Sequence, residues 1–251
     1  MTMSNMTRPL ESAISLYREG RYDEANELVS ISLQANSDDG RLLELHGIIR
    51  NAQGNLTGAI ASLEHAAAII PLSLAGQCVL AQCYVAVGHR QLAGEMFRFL
   101  LSRPKVAPSL LPLIAAGFSV LEDHQLALEA CRRAAECEID NGEPFFGMAH
   151  HMECLDYPLE MIATVLKKAI ELEPDRVRYR LALIRTQQRM GQDLEAQAVA
   201  RQIDLEQLRS LPCANSLKQL IKIYAEAGDY RRGELCRLRI REVDSTGDDE
   251  S

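Results

Sequence analysis

The chain has no tryptophan, and aromatic residues fill only 5% of its 251 positions. Its core must therefore come from Leu, Ile, Val and Ala, which suits helices packed closely on one another. Paired cysteines are also missing. The seven that occur, Cys78, Cys83, Cys131, Cys137, Cys154, Cys213 and Cys236, are odd in number and form no C-x-x-C spacing. In a helical chain this long a disulfide framework is not expected, and most of these residues read as buried thiols in a reducing compartment. Positive charge is in deficit, with a net charge of −8 and a pI near 5.3. Non-specific binding to nucleic acid or to an anionic membrane selects the opposite sign.

Signatures of chemistry are missing as well. There is no G-x-x-x-x-G-K-[ST], no G-x-G-x-x-G, no G-x-S-x-G and no H-E-x-x-H. The expectation is a non-enzyme with no cofactor and no metal. His150, His151 and Cys154 could place donors on a helical face, but a structural zinc site needs four ligands and no second cluster is in view. The first residues, MTMSNMTRPLESAIS, carry no apolar run of signal-peptide length, and a cytoplasmic location is expected. One uncharged run, Ala66 to Gly88, has the 23 residues needed to span a bilayer. Pro71, Ser73, Gln77 and Gln82 interrupt it, so no membrane insertion is expected.

What is present is a repeated unit, clearest between Gly40 and Ser73. Leu43, His46, Gly47 and Arg50 fall on one face of a first helix, and Gly54-Asn55 marks a turn. Ala59, Leu63, Ala66 and Ala67 follow at helical spacing, and Pro71 stops the second helix by removing a backbone donor. The unit is 34 residues long, and its turns recur along the chain at intervals of 34, 34, 34, 35, 34 and 37.

A helix–turn–helix of this length, with a small residue at Gly47, a turn at Gly54, alanines at Ala59 and Ala66 and a closing Pro71, resembles the tetratricopeptide repeat. The resemblance covers repeats at 6–39, 40–73, 74–107, 108–141, 143–176, 177–213 and 214–243. Residues 1–5 would be a flexible N-terminus, 6–243 a single repeat domain and 244–251 an acidic disordered tail. In the fifth repeat the turn is Asp156-Tyr157-Pro158, and His150 stands where a small residue is usual. The segment from Arg231 to Val243 would be the solvated cap that stacked repeats need.

The resemblance implies an all-α, right-handed superhelical solenoid whose first helices line a concave groove. It implies a protein–protein interaction scaffold that binds a peptide or protein there. A chaperone for a secreted or assembling client and a regulatory subunit of an enzyme complex are the alternatives. Repeats three and four present an uncharged floor that includes Gln82, Val85 and Ser119, and repeat five adds His151. Arg178, Arg185 and Arg189 share a face of one first helix, and Lys218 and Lys222 share a face of the next. Five cations together fit a partner with an acidic segment, since Arg pairs bidentately with carboxylates. The same cluster also reads as a solvated face balanced by Glu171, Glu173, Asp175 and Glu195. Some members of the family clamp chaperone C-termini with Lys, Asn and Arg. The matching positions here hold Leu10, Ile14, Glu44, Ile48 and Cys78, so that activity is not implied.

Overall fold

Each repeat turns where one residue adopts a left-handed backbone. In the computed structural model, which describes residues 7–247 and side chains for 9–244, φ is positive at Gly20, Gly54, Gly88, Glu122, Asp156, Gly191 and Gly228. The hydrogen bonding around them is the same each time. At the second turn the Gly54 N–H donates to the Asn51 carbonyl and the Asn55 N–H to the Arg50 carbonyl, both at 2.9 Å. This closes the otherwise unsatisfied carbonyls of the first helix and aims the chain back along it.

The helices this punctuation produces fall into two compact units that divide after Ala134. The first unit holds α1 (Thr7–Arg18), α2 (Tyr22–Ala35), α3 (Gly40–Ala52), α4 (Leu56–Ile69), α5 (Leu74–Ala86), α6 (Arg90–Ser102), α7 (Leu111–Val120) and most of α8 (His124–Cys137). A short 3-10 turn, Pro108–Leu110, leads into α7. The second unit holds α9 (Glu143–Cys154), α10 (Leu159–Leu172), α11 (Val177–Arg189), α12 (Asp193–Arg201), α13 (Leu205–Ser210), α14 (Ala214–Glu226) and α15 (Tyr230–Gly247). No strand occurs among the described residues, so the fold class is all-α, as the sequence leads one to expect. The uncharged run at Ala66–Gly88 is shared between α4 and α5, and no described helix is long and apolar enough to cross a membrane. Residues 1–5 and 248–251 lie outside the described residues, while 244–247 form the last turn of α15.

Small residues let paired helices approach. Ala13, Ala81, Ala115 and Ala149 are buried at the place Gly47 holds in α3. A Cβ on Gly47 would sit 2.5 Å from Leu63 Cγ and 3.0 Å from the Ala59 carbonyl oxygen. Around the turn glycines the situation is reversed, since a Cβ on Gly54 would meet nothing within 4 Å. Gly47 is required by packing, and Gly54 by its backbone angle alone.

The fifth repeat corrects the expected register. Asp156 is its left-handed residue, and Tyr157 is one extra residue before α10 starts at Leu159. Its first helix is therefore phased from Gly142 rather than Glu143. Ala149 takes the small-residue place, and His150, expected there, is exposed. One residue rotates a helix by about 100°, so this slip redistributes the whole face.

The sixth repeat is longer for a different reason. Its second helix is broken: α12 ends at Arg201 and α13 restarts after Asp204. Asp204 and Gln207 form a reciprocal capping box that makes the restart stable. Arg232 of α15 donates to the carbonyls of Arg201 and Ile203, and Arg239 to that of Leu211. The Arg201 and Ile203 carbonyls at the break thus have a partner, and Ile203 and Leu208 are fully buried beneath it.

Polar residues also enter the core. His46 is 6% exposed in α3, with Nε2 3.4 Å from the Ser30 hydroxyl. Burial, and then the nearby Arg50, push its pKa down to about 4.

In urea titrations Gly47→Ala is expected to cost about 1–3 kcal/mol through overpacking, and Gly54→Ala about 1 kcal/mol through its backbone angle. Glu122→Gly should have the opposite sign and stabilise slightly; a loss of stability there would refute the conformational account. For His46 the folded state favours the neutral ring, so its contribution is complete above about pH 6.5 and is lost as pH falls towards 4. Wild type should lose more stability than His46→Gln between pH 7 and pH 4.5, and parallel curves would show that His46 does not titrate this way.

Candidate functional site

The faces of the first helices carry the two candidate sites, one in each unit. In the first unit, α1, α3, α5 and the start of α7 enclose a groove of about 700 Å³. Leu10, Ile14, Tyr17, Ile48, Val79 and Leu113 give it an apolar lining, with Arg18, Arg41 and Glu44 among them. The three apolar residues of α1 fall at spacings of three and four, so helical geometry alone places them together. Glu44 is fixed in position, because its carboxylate accepts hydrogen bonds from the Ser73 amide at 2.9 Å and the Ser73 hydroxyl at 2.5 Å.

Three expected residues of this unit fall elsewhere. Gln82, Val85 and Ser119 are half-buried, and none lines this groove. Cys78, read as facing the groove, is fully buried, and Val79 beside it lines the groove instead. The floor draws more on repeats one and two than the uncharged run through repeats three and four suggests.

In the second unit, the expected cations are exposed but three are already paired. Arg178 forms an ion pair with Glu143 and lies 5.1 Å from the Phe146 ring centroid and 5.4 Å from that of Tyr179. Arg185 pairs with Glu153 at 3.2 Å, and Arg189 pairs with the other oxygen of the same carboxylate. Such exposed pairs contribute about 0–1 kcal/mol each. Lys218 and Lys222 on α14 are exposed and make no ion pair among the described residues. Gln219 of α14 donates to Gln188 of α11 at 2.7 Å, which ties the two helices together.

His151 is 4% exposed, so a partner cannot reach the ring that the expected register turned outward. His150 is the exposed one, with Nε2 4.0 Å from Cys154 Sγ. Glu143, Phe146 and Glu153 were missed for the same reason as His150. Their signal was present in Asp156, whose short polar side chain tolerates a left-handed backbone.

The thiols divide by environment. Cys78, Cys83, Cys131 and Cys236 are buried, and Cys137, Cys154 and Cys213 are exposed. Burial pushes the thiols of Cys78, Cys131 and Cys236 up to about 11. Cys213 is the N-cap residue of α14, where the Ser216 side chain, and then backbone amides, hold its thiol below the usual value.

No sequence-family model matches the chain, and no characterised protein matches it by sequence. Solved structures do match its fold. The C-terminal part of a repeat-containing protein from Cytophaga hutchinsonii superposes with a TM-score of 0.70 at 14% identity, covering 94% of this chain and 96% of that one. A tetratricopeptide repeat protein from Parabacteroides merdae gives 0.64 at 17% identity, covering 96% and 93%. YrrB, a repeat protein described as having an unusual peptide-binding site, gives 0.58 at 16% identity, covering 69% and 89%.

At pH 7.5, iodoacetamide should modify Cys213 before Cys137 and Cys154, and should reach Cys78, Cys131 and Cys236 only on unfolding. A mass-spectrometric time course checks the order. Equal rates at the three exposed thiols would show that Ser216 has no effect on Cys213.

Proposed function

Starting from a fold of tetratricopeptide repeats, we propose that this chain is a non-catalytic protein-interaction scaffold. The observation that carries the reading is the 700 Å³ groove of the first unit, with apolar side chains from four consecutive first-helix segments. A groove of this size and lining suits an apolar peptide segment; binding pockets run to about 300–1,000 Å³. Fixed Glu44 and the flanking Arg18 and Arg41 give it polar points that set the orientation of a bound chain. The peptide-binding site described for YrrB supports the same use of the fold.

In the second unit, Arg185, Arg189, Lys218 and Lys222 favour a partner with an acidic segment. Lys218 and Lys222 offer charge not paired among the described residues, while Arg185 and Arg189 share the carboxylate of Glu153. A carboxylate from a partner would compete with Glu153 for those two guanidinium groups.

Affinity capture followed by mass spectrometry tests both parts, using wild type beside Ile48→Glu and beside an Arg185→Glu, Arg189→Glu, Lys218→Glu variant. Circular dichroism first confirms that each is folded. A partner retained by wild type should be reduced at least tenfold by Ile48→Glu, which places a charge in the apolar lining. Loss from the triple variant alone would assign binding to α11 and α14. A partner captured equally by all three forms would overturn the reading.

A further inference from the structure

The broken helix of the sixth repeat creates a surface that regular repeats do not have. α13 is held in place from several sides. Arg232 and Arg239, seven residues apart on α15, bind carbonyls on either side of it, those of Arg201 and Ile203 before it and that of Leu211 after it. Gln207 donates to the Asp175 carbonyl at 3.4 Å, and Leu208 is fully buried. Pinned in this way, α13 still leaves a groove of about 360 Å³ between itself and α15.

The lining of this groove has a definite chemistry. Leu205 of α13 and Leu235 and Leu238 of α15 are apolar, and Leu238 is 45% exposed. Arg209 stands on the α13 side and Arg231 on the α15 side. Both are exposed and make no ion pair among the described residues. Glu234, the acidic residue of the lining, is paired with Arg237 at 3.0 Å. On α15 the positions 231, 234, 235 and 238 follow the spacing of one helical face. The result is an apolar slot between two available guanidinium groups, on a chain of net charge −8.

We propose that this slot is a second docking surface, separate from the first-helix faces, for an acidic amphipathic helix of another protein. A leucine-sized side chain of that helix fills the space against Leu205, Leu235 and Leu238, and carboxylates on either side of it meet Arg209 and Arg231. A groove between two helices takes a third helix by its apolar face. The fixed position of α13 removes the ordering cost that a mobile lip would add.

The test is selection of helical peptides from a displayed library on the full chain, with counter-selection on Leu238→Glu. Binding of each selected peptide is then measured by fluorescence anisotropy. Leu238→Glu places a charge at an exposed position, and an Arg209→Glu, Arg231→Glu variant reports on the rim without touching the apolar floor. Circular dichroism checks that both fold. Peptides that separate wild type from Leu238→Glu should carry leucine or isoleucine flanked by Asp or Glu. They should bind the double variant at least tenfold more weakly, weaken with added salt, and bind Ile48→Glu as well as wild type. The proposal fails if no peptide separates wild type from Leu238→Glu, or if those that do are neutral or basic. It also fails if sedimentation shows wild type dimeric and Leu238→Glu monomeric, because the occupant is then a second copy of this chain.

Discussion

One left-handed residue per turn sets the geometry of every repeat. It ends the first helix, satisfies two carbonyls and sends the chain back so that small residues can meet across the pair. Five of the seven positions use glycine, which adopts this backbone at no steric cost. Glu122 and Asp156 hold the same conformation with a side chain attached, at φ of 64° and 54°. The surrounding helices therefore determine the turn strongly enough to absorb an unfavourable residue. Which side chains face a groove and which enter the core is a matter of phase, counted from that residue.

This explains what was legible in the sequence and what was not. Where glycine marks the turn, spacing alone indicates where the helices lie, with α3 to α6 running from Gly40 to Ser102, although Cys78 is buried rather than facing the groove. In the fifth repeat the first helix departs from the expected phase, because Tyr157 lengthens the turn and nothing in composition reveals an extra residue. Spacing alone turns His151 outward and His150 inward, whereas His151 is buried and His150 is exposed. The break in the sixth repeat had a local signal, Asp204 followed three residues later by Gln207.

The charged face of the second unit shows a related limit. Arg178, Arg185 and Arg189 are exposed on α11, and local charge counting balances them with Glu171, Glu173, Asp175 and Glu195. Their partners, Glu143 and Glu153, lie one repeat earlier, on a neighbouring first helix. Stacking converts separations of about one repeat into direct contact, so the electrostatic neighbours of a residue are found by adding the period rather than by reading along the helix. The same logic joins Arg232 of α15 to the Arg201 and Ile203 carbonyls at the break between α12 and α13.

These separations have a kinetic side. The ion pair between Arg189 and Glu153 and the hydrogen bond from Tyr179 to Glu143 each reach across 36 residues, and the bond from Arg239 to Leu211 across 28. Loop closure over such distances is inexpensive, and its cost does not grow with the number of repeats added. Structure can then begin in any pair of helices and spread to the next, without waiting for distant parts of the chain to find one another. The broken sixth repeat is the exception in order of events. The Arg201 and Ile203 carbonyls at its interruption are bonded by Arg232 and so acquire that partner only once α15 is in place, which makes this stretch consolidate after the residues that follow it rather than before.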